Sequence, residues 1–116
     1  PQRRRVSLEE AVERATTKHR KAIALYELGL FHDNNARERD AIPLYEKALT
    51  AGLDPALKAK ALAWLASSLF KTGQLRGAIS RIQQSRQIAR TIHDSDLQKF
   101  LDGLETRVRR LMAKQT

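Results

Sequence analysis

Three histidines, His19, His32 and His93, are the residues best equipped to hold a metal or move a proton. Their spacing equips them for neither. No two stand three or four residues apart, where one helix face would present both. No cysteine and no paired carboxylates accompany them. A metal site would need ligands gathered from distant segments, so none is expected. His32-Asp33 reads instead as a helix-end feature. The chain has no glycine-rich phosphate loop, no G-x-S-x-G and no H-E-x-x-H. Its Asp and Glu residues are scattered over polar faces. These residues point away from catalysis, and no cofactor is expected.

Cations offer a second kind of chemistry. The 116 residues carry a net charge of +9, and the excess sits at the two ends. Residues 1–20 hold six Lys/Arg against three Asp/Glu, residues 21–70 hold six of each, and residues 71–116 hold ten against four. Arg76, Gln83, Gln87 and Arg90 fall on one side of a helix expected over 74–92, with Arg86 flanking them. With Arg107, Arg109, Arg110 and Lys114 they make a candidate basic surface, suited to the phosphates of a nucleic acid. No aromatic residues interleave with them, as stacking on single strands requires. A solvated face that keeps a small domain soluble explains the same pattern.

The elements that position these residues are helices. Hydrophobic content is 41% but aromatics are only 5%, so the core is built from Leu, Ile and Ala, which favour helix. No segment alternates with period two for long enough to make a strand. Residues 1–6 read as a basic, disordered arm. Ser7 and Glu10 form a capping box for a first helix from about Leu8, which continues to Asn34-Asn35 or divides near Thr16-Thr17. A second helix spans about 36–51 and ends at Gly52. Pro43 within it costs nothing if the helix starts near Arg39, and otherwise marks a slight kink. Asp54-Pro55 starts a third helix, closed near Gly73. The fourth runs from about 74 to 92. Asp94 or Ser95 caps a fifth over about 95–114.

A period of 37 residues runs through this pattern. Leu28, Ala41 and Tyr45 recur as Leu65, Ala78 and Ile82. Fixed periods of this size mark stacked helical hairpins. The first copy presents Leu25, Leu28, Gly29, His32, Ala41, Tyr45 and Ala48. The second presents Leu62, Leu65, Ala66, Leu69, Gly73, Ala78 and Ile82. Over roughly residues 22–92 this resembles the tetratricopeptide repeat. The stretch HDNNARERDAIPLYEKALTAGL, followed by LASSLFKTG, is similar to a bacterial two-repeat subfamily. The period exceeds the usual 34, Ser85 stands where a small apolar residue is usual, and Trp64 lies two positions after the family's tryptophan.

The resemblance implies an all-α domain over residues 7–116. Antiparallel hairpins at about 22–55 and 59–92 stack as a short right-handed superhelix, with a C-terminal capping helix. It implies a non-catalytic adaptor that binds a peptide or a partner's helix in a concave groove. Carried over position by position, the groove residues are Ile23, Tyr26, Leu30 and Asp33, then Lys60, Ala63, Trp64, Ser67, Phe70 and Lys71. Tyr26 and Leu30 replace the Lys and Asn of family members that grip a C-terminal carboxylate, so that clamp is not expected. Aromatic and cationic groove residues suit an acidic, partly apolar partner. Trp64 is equally suited to packing within the stack, and Tyr26 and Phe70 to partial burial. Nucleic-acid binding through the basic ends is the alternative function, and self-association into a homodimer a further expectation. The lack of cysteine and of any long apolar run fits a cytoplasmic protein without a membrane span.

Overall fold

The computed structural model describes residues 2–115. It contains six helices and, among the described residues, no strand: α1 (Gln2–Arg14), α2 (Lys18–Asn34), α3 (Glu38–Ala51), α4 (Pro55–Lys71), α5 (Leu75–Thr91) and α6 (Ser95–Lys114). Each of the five connections is three residues long, which forces neighbours to run antiparallel. The most extensive contacts join α2 to α3 and α4 to α5. These two hairpins then stack through α3 on α4, and α6 packs on α5 and α4.

The connections are specified locally. Thr17, in extended geometry, accepts the Arg20 N–H at 3.1 Å and starts α2. Asp54 and Asp94 accept the N–H groups of Leu57 and Leu97, each at 3.0 Å. At the other ends, α2, α4 and α5 close in the same way. The Arg37 N–H donates to His32 O at 2.8 Å, Gln74 to Leu69 O at 2.8 Å and Asp94 to Ala89 O at 2.9 Å. This closure needs a left-handed residue one place earlier. Gly73 supplies it at φ +80°, but Ala36 and His93 adopt φ +57° without glycine's freedom. Gly52 ends α3 at φ +105°.

Two expectations about the N-terminus are corrected. Residues 2–6 are helical, and Ser7 lies inside α1 rather than at its cap. Arg, Gln and Glu are good helix formers, and pairs at i, i+4 (Arg5–Glu9 and Glu10–Arg14, each 3.6 Å) tie successive turns. Leu8 is buried against Leu28 and Phe31 of α2, which gives the helix an anchor. The first helical stretch divides at residues 15–17. Pro43 lies in the second turn of α3, which starts at Glu38. Its missing N–H falls on an exposed face, which leaves the unpaired carbonyl open to solvent.

The core follows the 37-residue register. Ala41, Tyr45 and Ala48 of α3, and Ala78, Ile82 and Ser85 of α5, are fully buried, as are Leu65 and Ala66 of α4. Ser85 donates its hydroxyl to Ala59 O of α4 at 2.7 Å, which is how a polar residue fits this apolar place. The tightest approach is at Gly29, where a Cβ would lie 2.8 Å from Tyr45 Cε1. The ring is fully buried.

Two stability changes follow. Gly29→Ala forces the buried ring aside and is expected to cost about 1–3 kcal/mol in urea unfolding. Ala36→Gly relieves a left-handed alanine and is expected to stabilise by up to about 1 kcal/mol, with the slope unchanged.

Candidate functional site

The side chains of α2, α4 and α6 meet along one face. On α4, Lys60, Trp64, Ser67 and Lys71 are spaced i, i+4, i+7 and i+11, a single helical stripe. Trp64 is the centre of the contacts. Its indole N–H donates to the Tyr26 hydroxyl of α2 at 3.1 Å. Its ring meets Phe100 of α6 nearly edge-on, 5.0 Å between centroids at 74°, a favoured aromatic geometry. Trp64 and Phe100 both remain half-buried. Nearly two turns further along, Phe70 of α4 lies 5.9 Å beneath the Arg107 guanidinium of α6, within reach of a cation–π attraction.

The far end of the face is polar. The Tyr45 hydroxyl donates to Asp33 Oδ2 at 3.0 Å, and Lys71 Nζ lies 3.9 Å from Glu38 Oε1. Burial raises the Asp33 carboxyl pKa above its ordinary value, against the opposing pull of the Tyr45 hydrogen bond and of Lys71. Burial and the adjacent Asp33 charge drive the Tyr45 phenol pKa far upward, so it stays protonated as a donor.

The residues singled out in the sequence take different places. Tyr26 is 6% exposed; it supports the Trp64 indole from beneath rather than standing on the surface. Its ring also lies 6.2 Å from that of Tyr45. Asp33, Ser67 and Phe70 are half-buried, and Lys60 and Lys71 are exposed. Leu30 is also half-buried but lines a cleft with Arg4 and Leu8 of α1. Phe100 was not singled out. Its place on the face depends on how α6 crosses α4, a contact between residues 36 apart that has no local signature.

The arginines of the candidate basic surface take different places. Arg86 is a bridge between helices, its Nη2 3.0 Å from Asp102 and 2.6 Å from Glu105, with its side chain only 16% exposed. Glu105 also receives Arg109 at 2.6 Å. Hydrogen bonds from Arg109 and then Arg86 hold the Glu105 carboxyl below the usual carboxylate range. Arg107 covers Phe70, while Arg76, Arg90 and Arg110 are exposed.

Among the described residues, no three of His, Asp and Glu converge as metal ligands. No described helix is long and apolar enough to cross a membrane. His32 is buried at the end of α2, with Nδ1 lacking a hydrogen bond and 4.0 Å from Asp40 Oδ2.

Comparison with known families matches residues 22–108 to the tetratrico peptide repeat. The matched span includes most of α2, all of α3 to α5 and most of α6. No curated protein and no solved structure matches the chain.

Burial lowers the His32 pKa below its ordinary value of 6.5, more strongly than Asp40 raises it. The unfolded chain therefore takes up a proton that the folded chain refuses. Stability is expected to fall as pH drops below 6.5 towards the lowered folded value, and to level off beneath it. Urea unfolding across pH 5 to 7.5 should show this slope, reduced in His32→Leu; an identical slope in the variant would assign it elsewhere.

Proposed function

The chain belongs to the tetratrico peptide repeat family, and from that premise we propose a non-catalytic protein-interaction module whose α2–α4–α6 face holds an acidic, partly apolar peptide or partner helix. Repeats of this family generally mediate contacts between proteins. The observation that carries the reading is the row of half-buried rings Trp64, Phe70 and Phe100, flanked by the exposed cations Lys60, Lys71 and Arg107.

Rings fixed from behind lose little entropy when a ligand covers their remaining surface. Trp64 is held by Tyr26 and Phe100, and Phe70 lies beneath Arg107. Aromatic and arginine side chains in such settings dominate binding energies. The cations set the sign of the partner and speed its approach. Asp33 is engaged by Tyr45 and lies within the field of Lys71, so its carboxylate opposes an acidic ligand only weakly. Nucleic-acid binding has less support. Arg86 and Arg109 are already occupied by Asp102 and Glu105, and a phosphate contact would have to displace those carboxylates.

Trp64 is the only tryptophan, so its emission reports on this face alone. Titration with acidic peptides carrying one or two apolar residues is expected to change that emission. Lys71→Glu and Arg107→Glu should each weaken binding by about tenfold, whereas Arg76→Glu should not. An unchanged emission, together with a salt-sensitive gel shift on single-stranded nucleic acid, would overturn this reading in favour of the basic ends.

A further inference from the structure

Four of the five glycines are accounted for by the fold. Gly29 makes room for Tyr45, Gly52 and Gly73 take left-handed φ, and Gly77 lies in the first turn of α5, where a Cβ would rest on Leu69 at 3.5 Å. Gly103 is the exception. It lies in the interior of α6 with no left-handed φ, and a Cβ there would meet nothing within 4 Å. Arg107 Nε reaches the Gly103 carbonyl at 3.4 Å, but any residue would supply that carbonyl. After proline, glycine is the residue least suited to a helix interior. Among the described residues, no contact offsets the stability that α6 loses there.

The direction of Gly103 follows from how α6 is seated. α5 has 17 residues where α3 has 14, so α6 leaves the 37-residue register. Its buried Leu97, Leu101 and Leu104 fall 36 residues after the buried Ala61, Leu65 and Ser68 of α4. By the same offset Phe100 matches Trp64, Gly103 matches Ser67 and Arg107 matches Lys71. The contacts agree: Trp64 reaches back to Tyr26 of α2, and Phe100 reaches back to Trp64 of α4. Both helices therefore carry a ring, a small residue and a cation at i, i+3 and i+7 on the α2–α4–α6 face. α5 packs on α4 at Leu69, whose counterpart Glu105 lies half a turn around α6 from Gly103. A helix placed on α6 as α5 is placed on α4 would leave Gly103 open.

Ser67 and Gly103 thus form a low floor between two walls. Trp64 and Phe100 stand on one side, their ring centroids 5.0 Å apart. Lys71 and Arg107 stand on the other. Lys71 is loosely paired with Glu38 at 3.9 Å. Arg107 and the exposed Arg110 beyond it have no carboxylate partner among the described residues. Seven residues separate the walls along each helix, about 10.5 Å at the helical rise. A helix with its side chains, about 10–12 Å across, does not fit between them, whereas an extended chain occupies only about 4.8 Å beside its neighbour. We propose, resting on the reading of this face as the interaction surface, that Gly103 is a recognition residue, over which an extended segment of a partner protein crosses α6 with its main chain against the helix. Glycine permits that approach because no side chain holds the main chain away. Successive side chains of an extended segment point to opposite sides. Apolar ones then meet the rings and carboxylates meet Arg107, so the segment alternates apolar and acidic residues. The Ser67 hydroxyl, half-buried and without a hydrogen bond among the described residues, is available to the segment's peptide groups.

The probes are two fluorescently labelled peptides of equal length and composition, made of leucines and glutamates. One alternates the two residues; the other orders them at helical spacing. In anisotropy titrations with the full chain, the alternating peptide is expected to bind at least about tenfold more tightly than the helix-patterned one. Gly103→Ala should weaken its binding by about fivefold and Gly103→Leu by at least about tenfold. Neither should lower the midpoint of urea unfolding, and Gly103→Ala should raise it, because alanine and leucine both suit a helix better than glycine. Gly77→Ala, at the exposed glycine of α5, should leave binding unchanged. Binding that falls with Lys71→Glu but not with Gly103→Leu would overturn the role of Gly103 and leave the interaction face standing. No binding of either peptide, with Trp64 emission unchanged, would overturn both. Equal or tighter binding of the helix-patterned peptide would overturn the extended partner. An unfolding midpoint lowered by Gly103→Ala would overturn the proposal as well, because the glycine would then serve packing within the chain.

Discussion

The close approach of α2 to α3 is the constraint on which the rest of the molecule depends. Tyr45 lies so near Gly29 that its ring occupies the space any side chain there would need. The contact draws the two helices together, buries the ring completely and carries the phenol to Asp33. The Asp33 end of α2 is thereby fixed close to Lys71 of the next hairpin. The second hairpin repeats the arrangement with Ala66, Ile82 and Ser85, in softer form: Ile82 replaces the ring, and the Ser85 hydroxyl replaces part of the apolar contact with a hydrogen bond. Small residues on one helix and large ones on the other are the common element.

That packing also decides which surface is left for recognition. Each hairpin spends its apolar stripe on internal contact, so the remaining rings on α4 and α6 are seen only from the side. Trp64, Phe70 and Phe100 sit at this boundary, each fixed by the core or by a neighbouring cation. The cluster of Arg86, Asp102, Glu105 and Arg109 has a different role: it fastens α6 to α5 and gives the outer side of α6 a polar surface. At the opposite end α1 does less. It covers Leu28 and Phe31 with Leu8 and Val12 and leaves Ala11 in the open.

Much of this was legible in the residue order. The Asp54-Pro55 start, the Gly52 and Gly73 stops and the 37-residue register are local or periodic signals, and the helices they delimit are found within one or two residues. Other features were not legible. The helical N-terminus was hidden because arginines and glutamates signal helix only weakly until a buried leucine anchors them. Ala36 and His93 carry no outward sign of left-handed geometry, which the turn imposes on them. Arg86 resembled its exposed neighbours in composition. Only the crossing of α5 and α6 placed two carboxylates beside it.

The sequence by itself determined that the chain is helical, where it turns, and which positions carry the small and large residues of the repeat. Those properties are set by backbone propensity and by spacing along one segment. The tertiary structure alone decided which side chains share a face. It put Tyr26 beneath Trp64, brought Phe100 against that indole and engaged Arg86 with two carboxylates of α6. Each of these depends on contacts between helices far apart in the chain, where the angle and depth of packing, rather than residue type, decide what is buried and what remains to bind.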